Sequence, residues 1–171
     1  MQALERIELY VALKSLDRLA GLQGPRALAV PRFCRDFIDQ AWTCLAGGPA
    51  PDCEGLEAAI DAVVVDEQDA TSAQVISNLY LYAFSDLLLY FEQGEGQSLE
   101  CVQASIIDLH DYLAAQAFLE RAGISDGVVL SPSQEQQIAA DPVYARERQL
   151  LETDRLHAQQ LGNWQVVITM R

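Results

Sequence analysis

From Ala3 to about Leu22, the apolar residues Leu4, Ile7, Val11, Leu16 and Leu19 recur close to three-and-four spacing, with Gly21 and Gly24 placed to stop the run. That repeat is one face of an amphipathic helix. A second helix is expected from about Pro31, through Cys34, Ile38, Trp42 and Leu45, to the breaker run GGPAP. A third, shorter one starts near Asp52 and uses Leu56, Ala59, Ile60 and Val63; the β-branched Val63–Val65 allows an extended end there instead. The fourth begins after DEQDATS, with Asp69, Thr71 or Ser72 as cap, and runs to the EQGEG turn. Its apolar residues go most of the way round, which places it at the centre of a bundle. The fifth, from Ser98 to about Ala122 with Gly123 beyond it, buries Leu99, Val102, Ile106, Leu109, Leu113 and Ala117. The short link before it makes helices four and five antiparallel.

Ser131-Pro132 can open a short helical turn, and Asp141-Pro142 opens the last helix, with Asp as cap and Pro at the first position, running to Leu161. In the tail NWQVVITM the period changes: Trp164, Val166, Ile168 and Met170 alternate as in a strand. Such a strand would pair with GVVL at Gly127–Leu130 or with another chain, the second option making a homodimer. The pattern therefore predicts an all-α, single-domain bundle of six or seven helices over residues 1–171, with a short extended C-terminal segment. It shows no internal repeat and no low-complexity tract.

A chain of 171 residues, half of them apolar and 21% charged, is long enough to bury one substantial core. The opening MQALERIELYVALK has acids within it and no uninterrupted apolar stretch, so it does not read as a signal peptide. The most apolar run, Val75–Phe91, is broken by Ser77, Asn78, Ser85 and Asp86, which argues against a membrane span and for a cytoplasmic protein. Cys34, Cys44, Cys53 and Cys101 form no CxxC pair and are expected as reduced, mostly buried thiols, although Cys44 and Cys53 flank one loop closely enough to bridge if oxidised.

Catalytic signatures are sparse. GGPAP and EQGEG lack the preceding strand and the following Lys or helix of a phosphate loop, and there is no GxSxG. A Cys/His nucleophile would have to use His110 or His157, neither in a recognisable neighbourhood. Helical bundles hold metals with Glu-x-x-His pairs, and here the nearest echo is Asp154 before His157. A carboxylate–metal enzyme would need Glu92, Asp108, Asp111, Glu152 and His157 to converge; otherwise Asp108 and Asp111 simply line the wet face of helix five while His110 flanks its core face. DEQDATSAQVIS lacks the Gly and Glu of a calcium loop. No cofactor is expected.

Charge is the strongest signal. From Asp36 to Glu120 there are sixteen Asp and Glu and no Lys or Arg, whereas the rest of the chain is nearly balanced within the overall −14. This sign opposes nucleic-acid binding through phosphates and disfavours anionic membranes. It favours a basic protein partner, drawn in by long-range attraction. Solubility alone also benefits from acids. It does not require that bases be missing from half the chain. Candidate contacts are Asp66, Glu67, Asp69, Asp86, Glu92 and Glu95, with Tyr82 or Tyr90 as anchors. Asp86 shares a helical face with Asn78, Tyr82 and Leu89, so it is a partner-facing acid, a buried acid with a raised pKa, or part of an ordinary exposed strip.

A helix ending in IDQAWTCLAG, an acidic link VVDEQDAT before an alanine- and tyrosine-bearing helix, and a late DPVYARERQLLE helix together resemble the YjaG-like family of small acidic helical bacterial proteins of uncharacterised function. That resemblance implies the all-α fold and a bacterial cytoplasmic origin, and carries over no catalytic residue. In kind, the chain also resembles bacterial immunity proteins, which occlude the active site of a cognate toxin. A toxin acting on an anionic substrate presents a basic cleft that a carboxylate-rich face can fill. The expectation is a non-enzymatic inhibitor of a basic toxin.

Overall fold

The computed structural model describes residues 2–22, 27–66, 68–125 and 128–170. Its elements are α1 (Ala3–Ala20), α2 (Arg32–Leu45), α3 (Leu56–Asp61), α4 (Ser72–Gln93), α5 (Gln97–Ala122), α6 (Pro132–Ala139), α7 (Pro142–Gln160) and a terminal 3₁₀ helix, Trp164–Met170. The described residues contain no strand, and the fold is an all-α bundle.

Five consecutive residues, Leu9 to Leu13, are buried on α1, so this helix is covered on every side over its middle turns. It touches α2, α4, α5 and α7 and is the central helix. The periodicity assigns that place to α4. In the structure α4 instead forms the closest-packed pair with α5 and leaves Tyr82 and Leu89 exposed along its outer side. Phe84 of α4 meets Phe33 and Phe37 of α2 edge-on, with ring centroids 6.1 and 5.4 Å apart, and Phe91 meets Phe37 at 5.6 Å. Such edge-to-face pairs stabilise beyond the area they bury.

The ends of the helices follow the expected chemistry. Thr71 and Gln74 form a reciprocal capping box at the start of α4. Asp141 accepts hydrogen bonds from the Val143 and Tyr144 amides at 2.9 and 3.3 Å, with Pro142 at the first position of α7. Gly94 ends α4 at φ 72°, a left-handed turn that bends the chain into α5 within three residues. A side chain there would be strained.

The tail departs from the sequence reading. Trp164–Met170 is a 3₁₀ helix lying against α2, not an extended segment. Val167 is fully buried and Trp164 half-buried, a spacing of three, while Val166 and Ile168 are exposed. A strand needs a partner to satisfy its backbone. Val128 and Val129, from the segment expected to pair with it, stand exposed instead. Gly127 lies outside the described residues.

Candidate functional site

The acidic stretch is held along α4 by a side chain within that helix. Asn78 is buried, and its amide closes both sides of one backbone unit: Val65 N–H donates to Oδ1 at 3.2 Å, and Nδ2 donates to the Val65 carbonyl at 2.6 Å. This ties the α3–α4 link to the first third of α4. Burial pushes the Cys53 thiol up, and the charges of Glu92 and Asp52 push it further. The short α3 helix packs against α4. Asp52, Glu54, Glu57, Asp61, Asp66 and Asp69, all exposed, therefore form an acidic ridge that follows α3 and its link to the start of α4.

Of the sixteen carboxylates between Asp36 and Glu120, every described one is exposed except half-buried Asp86. Glu67 lies outside the described residues. Glu92 and Glu95 are exposed at the C-terminal end of α4, ~30 Å from Asp69, so the expected contacts form no single cluster. Tyr90 is a core residue, 7% exposed and stacked edge-on against Phe91 at 5.1 Å; it is not presented to a partner. Its apolar neighbours on the sequence hid this, because a helix buried over most of its circumference takes tyrosine rings inward as readily as leucine. Tyr82 is exposed. Asp86 accepts a hydrogen bond from Ser105 Oγ at 3.0 Å, and burial holds its pKa above the ordinary carboxylate value against the lowering effect of that bond.

The bases are placed differently. Arg18 of α1 lies between two buried carboxylates of α7, donating through Nε and Nη2 to Glu147 and through Nη1 to Asp154. Its Nη2 also reaches Ser15 Oγ at 2.9 Å. Burial disfavours the Arg18 charge, but Glu147 and Asp154 outweigh it and raise the pKa. Next to Asp154 on α7, Arg155 donates to both oxygens of Glu8 at 3.0 Å and to Gln103 Oε1 at 2.8 Å. Glu147, Leu151, Asp154 and Ala158 make up the buried face of α7, so carboxylates alternate with apolar residues on its inner stripe. Hydropathy alone gives no hint of such a face.

His110 is buried, with Nε2 3.8 Å from Glu147 Oε2, and this matches the core-flanking reading. A cleft of about 430 Å³ opens beside it, lined by Arg18, Leu22, His110, Val143, Arg146, Glu147 and Leu150. The five residues required by a carboxylate–metal site do not converge: Asp108, Asp111, Glu92 and Glu152 are exposed on three helices, while His157 Nδ1 pairs with Tyr10 Oη at 3.1 Å. Among the described residues no three His, Cys, Asp or Glu side chains are grouped to hold a metal ion. Cys34, Cys44, Cys53 and Cys101 are free thiols, and burial pushes Cys34 up to about 12. No described helix is long and apolar enough to cross a membrane. No family model, curated protein or solved structure matches this chain.

Proposed function

We propose that the chain acts by binding, without chemistry of its own, to a basic protein partner, and that this partner is a cognate toxin whose active cleft it covers in the manner of an immunity protein. The observation that carries this reading is the exposed ridge from Asp52 to Asp69, fixed to α4 by Asn78 in a region without a Lys or Arg. A pinned ridge offers its charges already positioned, so less ordering entropy opposes docking. Two bases outside this region, Arg18 and Arg155, are paired with Glu147, Asp154 and Glu8 and leave the ridge unneutralised. Attraction of this kind speeds encounter and is weakened by salt.

The tagged chain should capture a basic protein near one-to-one from cells expressing its neighbouring genes, with retention at about 50 mM salt exceeding that at about 500 mM. Reversing Asp66 and Asp69 to Lys should weaken the purified complex by at least about tenfold, mostly through slower association. Co-expression of the chain should rescue growth from that partner's toxicity. An affinity unmoved by the double reversal would overturn the assignment of the ridge.

A further inference from the structure

Tyr82, Asp86 and Leu89 follow each other at i, i+4 and i+7 on α4 and so share one face. Tyr82 is 38% and Leu89 37% exposed, two large side chains partly open to solvent on either side of a half-buried carboxylate. The Ser105 Oγ bond to Asp86 Oδ2 sets the register of the antiparallel α4–α5 pair. One turn either side of Ser105 on α5 stand Asp108 and Cys101, both exposed. From Ser72 to Glu120 neither helix carries a Lys or Arg. Among the described residues Ser105 bonds the Asp86 carboxylate at Oδ2, and the side chain is half-buried, so the carboxylate keeps some exposure to solvent.

We propose that Asp86, Tyr82 and Leu89 form the seat for one arginine side chain of the partner, its guanidinium on the carboxylate and its stem and plane against the ring and the leucine. This rests on the basic-partner reading and names where that partner is gripped. A planar guanidinium suits the place better than an ammonium, because it can bond a carboxylate and stack on an aromatic face at once. Exposed carboxylates of the ridge act over distance and are screened. A half-desolvated one flanked by apolar surface gains more from a partner that completes its burial, and interface energy concentrates at such places, with Tyr and Arg over-represented. Asp108, a turn along, adds a second negative charge at the rim.

The test is an NMR titration of the full-length, isotope-labelled chain with two probes, N-acetyl-arginine methylamide and a nona-arginine peptide. The small probe should move the amides of Tyr82–Leu89 and Ser105 and the Asp86 carboxyl carbon, with acetyl-lysine methylamide binding more weakly. Asp86→Asn, which keeps an acceptor for Ser105, should cut the small-probe affinity by about fivefold and Tyr82→Ala by about threefold. In the same Asp86→Asn chain, shifts induced by nona-arginine at Asp66 and Asp69 should persist. Nona-arginine shifts along the ridge with no small-probe response at 82–89 would overturn the seat and leave the basic-partner reading standing. No binding of either probe would count against both.

Discussion

Replacing Arg18 by Met removes the guanidinium that pairs with both Glu147 and Asp154, which are 3% and 7% exposed. The Met side chain refills much of the volume, so the cost comes from stranding two carboxylates, not from a cavity. Removing one partner of a buried ion pair typically costs 3–5 kcal/mol. Here the Arg18 side chain is 24% exposed, so water reaches the site and the lower end applies, about 3 kcal/mol. In a domain of this size that should lower Tm by roughly 6–12 °C. Urea unfolding followed by far-ultraviolet circular dichroism measures it directly. The triple variant Arg18→Met, Glu147→Gln, Asp154→Asn should recover most of the loss, because no uncompensated charge remains. A loss under about 1 kcal/mol for Arg18→Met, or a triple variant no better than the single one, would refute the claim that this network carries net charge balance inside the bundle.

Asn78→Ala should cost about 1–3 kcal/mol, since it leaves the Val65 amide and carbonyl without their shared partner, and hydrogen exchange at Val65 should accelerate well beyond that of α4. Unchanged Val65 protection would show that the ridge is fixed by something else. For Glu8, burial alone would raise the pKa, but hydrogen bonds from Arg155 and Gln103 and the Arg155 charge hold it below the ordinary value, so its contribution is full above the unfolded pKa and lost as pH falls through the folded one. Glu8→Gln should therefore flatten the acid limb of the urea-midpoint profile below about pH 4.3, and parallel limbs would contradict this. For Asp86, burial raises the pKa and Ser105 only partly offsets it, so the folded chain takes up this proton more readily and stability is gained as pH falls through the raised value. Asp86→Asn should then stabilise at pH 7 by no more than about 0.5 kcal/mol after screening, with the gain fading in acid; a destabilised Asn variant would mean that the carboxylate is structural.

The helices were legible because their local chemistry agrees with their burial. Thr71, Asp141-Pro142, Gly94 and Gly123 punctuate the chain where capping rules place them. What pattern could not supply was any relation between distant residues. Arg18 and Glu147 are 129 positions apart, and nothing near either one marks it as half of an ion pair. The tail was misread because alternation over Trp164–Met170 fits a strand only when a partner edge exists. With none available among the described residues, the spacing of Trp164 and Val167 governs instead. Asp86 stands out in the sequence as a carboxylate on an otherwise apolar helix. Its half-buried state depends on Ser105, nineteen residues away on the neighbouring helix, and needed the fold to be seen. Tyr90 failed for the converse reason: its ring faces Phe91 and the core, while Tyr82, two turns earlier, faces water.

The distribution of charge then follows from a division between elements. On α1 and α7 the carboxylates Glu8, Glu147 and Asp154 are matched internally by Arg18 and Arg155, so these helices gain a specific mutual register and contribute little net field. From Asp36 to Glu120 no Lys or Arg is present to do the same, and the described acids other than Asp86 stay exposed. Internal pairs answer to stability because a stranded buried charge is costly, whereas an exposed carboxylate is nearly neutral to stability and free to answer to binding. Substitutions should separate accordingly: changes at Arg18, Glu147 and Arg155 move the unfolding midpoint, and changes along Asp52–Asp69 move partner affinity while leaving it in place. Asp86 lies on the boundary, because its burial costs a little stability that an arriving arginine would restore. A carboxylate whose removal improves the free protein and harms the complex is the signature that distinguishes a docking surface from a merely soluble one.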